Sequence, residues 1–145
     1  VTHSRTVTTY VDGHWEVIDY LDGPGGPVHT ARLHWLLPDL EYEIHEATDK
    51  TEYKGYEIRI HSPFGWVTLK TVVSSPHGKT LSPRPINFQL ARAGKLLVGS
   101  GIISPIAGWT SPTYGDKIPA LAYILEISQA LPIEIQSEWI LPSES

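Results

Sequence analysis

Cysteine and methionine are both missing from this chain of 145 residues. Without cysteine there is no disulfide framework, no thiolate nucleophile and no Cys-type zinc site. The compartment stays open, because a secreted protein can also lack disulfides. Without methionine, even at position 1, the chain is expected to be processed or excised from a longer polypeptide; we take it as an excised domain. No apolar run approaches the ~18 residues of a membrane span. No charged-then-apolar stretch of the signal-peptide kind opens the chain. Basic residues are scarce too: 11 Lys and Arg stand against 16 Asp and Glu, a net charge of -5. Phosphate contacts need clustered Lys and Arg, so this balance argues against a nucleic-acid partner.

What is present is the composition of one globular domain. Hydrophobic residues make up 41% and charged residues 19%. A domain of this length buries roughly 68–70% of its unfolded surface, so it needs no metal or disulfide for stability. Twelve glycines and twelve prolines are scattered along the chain rather than pooled in one linker. Such spacing punctuates many short elements, the mark of a sandwich or barrel.

About ten strands are expected. Ser4 to Tyr10 is β-branched, and Asp12-Gly13 turns it into His14 to Tyr20. In that second strand Trp15, Val17 and Asp19 share one face, and Glu16, Ile18 and Tyr20 the other. Asp22 to Pro27 is a loop, and Val28 to Leu37 a strand stopped by Pro38-Asp39. Glu41 to His45 and Tyr56 to His61 alternate with period two, with a polar, loop-like stretch from Ala47 to Lys54 between them. A Ser62 to Gly65 turn leads into Trp66 to Val73. Ser74 to Pro85 has no periodicity and is expected as the longest loop. Ile86 to Arg92 and Lys95 to Gly99 form a hairpin across Ala93-Gly94. Ile102 to Gly115 is an irregular loop, and Lys117 to Gln129 and Leu131 to Leu141 close the chain. Leu121 to Gln129 is helical by propensity, but Pro119 and the Ile/Tyr content favour a strand. The expected fold is all-β, an antiparallel β-sandwich of two packed sheets, in a single domain spanning 1–145.

Chemistry-bearing patterns are few. His29 and His34 are an odd number of residues apart, so a strand points them to opposite faces. His34, His45 and His61 converge on a metal only if their strands are neighbours. No H-x-H, H-E-x-x-H or acidic calcium loop is present, so neither a metal nor a cofactor is expected. No G-x-S-x-G elbow surrounds Ser100. Glu41 and Glu43 would serve a glycosidase only across a cleft, and alternating Glu on a strand is ordinarily solvated. No catalytic residue is assigned. Of the five tryptophans, Trp15, Trp35 and Trp139 lie in apolar strands and are expected in the core. Trp66 follows a turn. Trp109 and Tyr114 share the stretch Gly108 to Gly115, and loops are where sites gather. Trp109, Tyr114 and Trp66 are therefore the candidate contacts for a carbohydrate or another domain. The alternative for the loop is that both rings plug one end of the sandwich.

The order of motifs resembles a known family. The motifs are His3-x-Arg5-x-Val7, Trp15-x-Val17-x-Asp19 across an Asp-Gly hairpin, and His29-x-x-x-Leu33-His34-Trp35-Leu36-Leu37-Pro38. Ser62 to Val67, Gly108 to Gly115, and Leu131-Pro132 ending in Glu138-Trp139 follow. Together they are similar to the C-terminal part of heparinase II/III-like polysaccharide lyases, over nearly the whole chain. The resemblance implies a β-sandwich module beside an (α/α) toroid and an upstream sheet region of the same polypeptide. It implies β-elimination of uronic-acid glycans by the full-length protein, and a periplasmic or extracellular setting. That chemistry needs a base, an enolate-stabilising group and an acid. The family's toroid and its Gly-His-x-His-x-Asp-like stretch have no counterpart here, so no catalytic residue carries over. A carbohydrate-binding module using loop aromatics is the alternative, and a small complete lyase using Tyr114 with a histidine a third. An acidic chain repels acidic glycans unless Arg32, Arg59, Lys70, Arg84 and Arg92 cluster.

Overall fold

The computed structural model describes residues 1–48, 54–74 and 86–142. The loop expected from Ser74 to Pro85, with Arg84, lies outside those residues except for Ser74, which is strand; of the expected Ala47 to Lys54 loop, Ala47, Thr48 and Lys54 are strand and the rest lies outside. In chain order the strands are β1 (Thr2–Thr9), β2 (His14–Asp22), β3 (Val28–Pro38), β4 (Tyr42–Thr48), β5 (Lys54–Ser62) and β6 (Gly65–Ser74). They continue with β7 (Ile86–Arg92), β8 (Lys95–Gly99), β9 (Trp109–Thr110), β10 (Ile118–Ala130) and β11 (Ile133–Ile140). The fold is all-β, with two antiparallel sheets, the make-up of a β-sandwich, and no helix among the described residues. One more strand is present than expected, because Trp109 and Thr110 pair with Pro119 and Ile118.

The chain divides into two compact units. The first contains a six-stranded sheet in the order β1-β2-β11-β6-β5-β4. Its register sets Asp19 and Val17 of β2 against Ile135 and Ser137 of β11. Ile135 and Ser137 in turn oppose Val73 and Thr71 of β6, while Leu69 opposes Ile58 of β5. All of these are buried, so one face of four adjacent strands is continuous. The opposite face is polar: Gln136 donates to Glu16 at 2.9 Å, and His14 Nε2 lies 3.1 Å from Glu138. This is the alternation the sequence shows, since a strand sends successive side chains to opposite faces. Trp15 departs from expectation. It shares the face of Val17 but is 43% exposed. Its neighbours in register are Trp139 and Thr9, and Thr9 lies on the fully exposed β1.

The second unit holds the sheet β3-β10-β7-β8, with β9 beside β10. Every residue of β10 from Ala120 to Leu125 is buried. A strand covered on both faces loses its alternation, which is why Leu121 to Gln129 also reads as a helix by propensity. Leu33 and Leu37 of β3 are buried, whereas Arg32, His34 and Leu36 are exposed, as the period of two requires.

A buried charge sits on the apolar face of the first sheet. Asp19 is only 3% exposed. Arg5 lies directly opposite it on β1 and donates from Nε and Nη2 to the two carboxylate oxygens at 2.7 and 2.9 Å. His3 Nε2 is 2.7 Å from the same carboxylate. Burial pushes the Asp19 carboxyl up, but hydrogen bonds from Arg5 and then His3 outweigh it and hold the group below the ordinary carboxylate range. A carboxylate whose folded pKa is lowered stabilises the fold above its unfolded value of ~3.9. That stability is lost as pH falls through the folded value. Urea unfolding at pH 6 and pH 3 should show this loss in the native chain, and Asp19→Asn should flatten it. Arg5→Ala leaves the carboxylate underpaired. We expect a cost of about 2–3 kcal/mol at pH 7, below the ~3–5 kcal/mol of a fully buried pair, because Arg5 remains partly in water.

Candidate functional site

The loop from Gly99 to Lys117 holds two of the three candidate contacts, and its backbone is fastened at three places. At its start Gly99 adopts φ +99°, where an added Cβ would sit 2.0 Å from the Phe88 carbonyl oxygen. Gln89 Nε2 then donates to the Ser100 and Ile102 carbonyls at 2.9 and 3.3 Å. Ser100 and Asn87 exchange a further pair of hydrogen bonds at 3.2 and 3.3 Å. In its middle Ile103 and Ala107 pack on Ala91, Ala122 and Ile124, covering that face of the second sheet. The third fastening is Gly108. Its carbonyl accepts from both the Ala93 and the Ala120 amides at 2.9 Å. A Cβ there would lie 2.8 Å from the Ala93 nitrogen and from the Arg92 Cα, so only glycine lets the loop approach the β7–β8 turn.

That turn is itself strained. Ala93 and Gly94 have φ of 50° and 76°, the left-handed pair of a tight hairpin. Glycine tolerates this; alanine loses roughly 1–2 kcal/mol in it. The conformation points the Ala93 and Gly94 amides at the Gly108 and Ala107 carbonyls, at 2.9 and 2.7 Å. The strain is offset by the docking of the loop.

Trp109 is half-buried. Its Nε1–H donates to the Pro105 carbonyl at 3.0 Å, and the Lys117 ammonium lies 4.1 Å from its ring centroid. The segment from Ser111 to Asp116 closes as a compact polar turn. Ser111 Oγ lies 2.6 and 2.8 Å from the Asp116 and Thr113 carbonyl oxygens, its one hydroxyl hydrogen serving either, and Thr113 Oγ1 donates to the Asp116 carboxylate at 2.9 Å. Tyr114 stands within this turn with its whole surface exposed, at 106%. Ile102 and Ile106 of the same loop are also exposed. The two candidate rings thus do different things: Trp109 helps to fasten the loop, and Tyr114 is presented to solvent.

Trp66 lies in the other unit. It opposes His61 in register, with ring centroids 4.7 Å apart and nearly parallel, and the Arg59 guanidinium is 4.8 Å from its centroid. A stacking platform for a sugar needs an open ring face. Trp66 and Trp109 already carry intramolecular partners on their rings, so Tyr114 is the open one of the three.

Other sequence candidates separate. Glu41 pairs with His61 at 3.8 Å, and Glu43 with Arg59 at 3.5 Å and His45 at 3.7 Å. Each carboxylate thus lies beside a histidine, and Glu43 also beside a guanidinium. Among the described residues no three His, Asp or Glu side chains gather to hold a metal. Three of the cations lie against acids: Arg59 on Glu43, Lys70 in register with Glu57 and Glu138, and Arg92 forked onto Asp39 at 2.7 and 2.8 Å; Arg32 is exposed on β3. The fork holds the Asp39 carboxyl below its ordinary range.

One surface escaped the sequence reading. Val11 and Phe64, in the turns after β1 and β5, are exposed, and Leu141 lies between those turns in the first unit. Leu141 N–H donates to the Gly13 carbonyl at 3.3 Å, and Pro142 lies beneath Gly65. Apolar residues in hairpin turns, where polar ones are usual, are the signal that could have pointed to it.

No family model, no curated protein and no solved structure matches this chain.

The fastenings make distinct predictions. Ala93→Gly should stabilise the chain by about 1 kcal/mol in urea unfolding, since it relieves the left-handed alanine. Tyr114→Ala should leave stability within about 0.5 kcal/mol. Trp109→Ala should cost about 1–3 kcal/mol, less than the ~3–5 kcal/mol of a fully buried tryptophan.

Proposed function

We propose that the chain is a non-catalytic β-sandwich module of a heparinase II/III-like polysaccharide lyase. It braces a toroid of the same polypeptide and walls one side of its substrate cleft. The motif order in the sequence supports the reading. The observation that carries the contact assignment is the loop around Tyr114: a backbone fastened by Gly108 and Gln89 presents Tyr114, Ile102 and Ile106 bare to solvent. Rigid fastening with exposed apolar tips suits a surface that another body covers. The chemistry of β-elimination requires a base, an acid and enolate stabilisation held together. Asp19, Asp39, Glu41 and Glu43 are each tied to a histidine or an arginine, which favours a supporting role for them over a catalytic one.

The alternative is a carbohydrate-binding module with Tyr114 as its stacking ring. It is favoured by that ring's exposure and disfavoured for uronate polymers by the pairing of Arg59 and Arg92 with acids. The two readings separate experimentally. Incubated with heparin, heparan sulfate or alginate, the isolated chain should form no unsaturated, ultraviolet-absorbing product and should bind none of them in titration calorimetry. Its reading frame should continue upstream into a helical toroid with a His-x-His-x-Asp stretch. Steady product formation, or a reading frame with no such toroid, overturns the lyase-module reading. Glycan binding that Tyr114→Ala abolishes establishes the alternative.

A further inference from the structure

β1 is an open edge of the first sheet: it pairs with β2 on one side and has no described strand on the other. The register pairs Thr8 with Glu16, Thr6 with Ile18 and Ser4 with Tyr20, and the Tyr10 amide donates to the His14 carbonyl at 2.8 Å. Antiparallel ladders exchange hydrogen bonds at every second pair. The even-numbered residues of β1 therefore turn their backbone groups toward β2. Thr9, Val7, Arg5 and His3 turn theirs outward.

Natural sheets blunt such edges with proline, bulges, short length or charge. The other edges do so: β3 ends in Pro38, β4 carries Glu43, and β8 is five residues long and ends in Gly99. β1 has no proline, glycine or acid, and all eight of its residues are exposed. Its one permanent charge, Arg5, is neutralised by Asp19. On the face where Val17 and Ile135 are buried, Val7 and Trp15 are left exposed.

We propose that β1 pairs antiparallel with β1 of a second copy, about a two-fold axis at Thr6. This register satisfies the outward groups, because it sets Arg5 against Val7 and His3 against Thr9, each odd residue facing another. It sets no like charges directly opposite, and each Arg5, now diagonal to the other, is already paired with its own Asp19. An axis at Arg5 would oppose two guanidiniums, and one at Ser4 would oppose Arg5 and His3. An axis at Val7 would push His3 against Val11, beyond the strand. Thr6 then meets Thr6, a favourable cross-strand pair on the outer face. Isologous pairing of this kind joins two sheets into one and leaves neither β1 open.

The absence of cysteine makes the test clean. Thr6→Cys should form a covalent dimer under mild oxidation. The axial pair would be a non-hydrogen-bonded one, with Cα atoms about 4.5 Å apart, within disulfide reach. Thr8→Cys, two residues off the axis and on the same face, should cross-link far less. Without mutation, sedimentation equilibrium from micromolar to millimolar concentration should show a monomer–dimer equilibrium. Val7→Lys places a cation against Arg5 of the second copy at two symmetric positions and should weaken it by about tenfold. Val7→Glu should tighten it. Circular dichroism checks that each exposed-site variant keeps the fold. A wild-type chain that stays monomeric throughout, equal cross-linking at positions 6 and 8, or the same shift from both Val7 variants overturns the proposal. A strand of another protein on this edge would give the first of these results.

Discussion

The pairing of β11 between β2 and β6 makes one sheet out of separate hairpins. β1–β2 and β5–β6 are local pairs that close across short turns. β11 comes from the far end of the chain and registers against both, with Trp139 between Trp15 and Leu69 and Ile135 between Asp19 and Val73. Remove it and the six-stranded sheet falls into the β1–β2 hairpin and a three-stranded β6–β5–β4 ribbon, and the hairpin by itself is too narrow to hold a hydrophobic face. The burial of Ile133, Ile135 and Ser137 follows from that central position.

The same centrality gives Asp19 its unusual place. A carboxylate opposite Ile135 on a buried face would normally be neutral or absent. Arg5 and His3, contributed by the edge strand, keep it charged. β1 is thus bound to the sheet through its ladder and through this ion cluster, although it buries none of its own side chains. Electrostatics here substitutes for packing at the margin of the sheet.

In the second unit the organising device is a backbone one. Gly108 lets a carbonyl reach two amides at once, and the strained Ala93 turn supplies one of them. The loop that results has a packed underside, Ile103 and Ala107, and a bare crest, Tyr114. Fastened loops with exposed apolar residues concentrate recognition on a rigid base, which is why the proposed contact lies there rather than on the Trp66 face.

Local chemistry determined a good deal by itself. Period-two alternation in β4 and β5, the Asp12-Gly13 turn and the Ala93-Gly94 hairpin were all legible, because each depends on residues within a few positions. The stretch from Gly108 to Gly115 stood out for its glycines and aromatics. Tertiary structure decided the rest. Whether Leu121 to Gln129 was strand or helix depended on its being covered on both faces. The exposure of Trp15 depended on the open strand beside it. Trp109 and Tyr114 look alike in sequence, yet one ring lies under Lys117 and the other in water, because Pro105 and the polar Ser111–Asp116 turn hold them differently. The partnership of Asp19 with Arg5 needed the register of two strands. Side-chain type and spacing set which face a residue takes, whereas partners from distant strands set whether that face is buried, paired or bare.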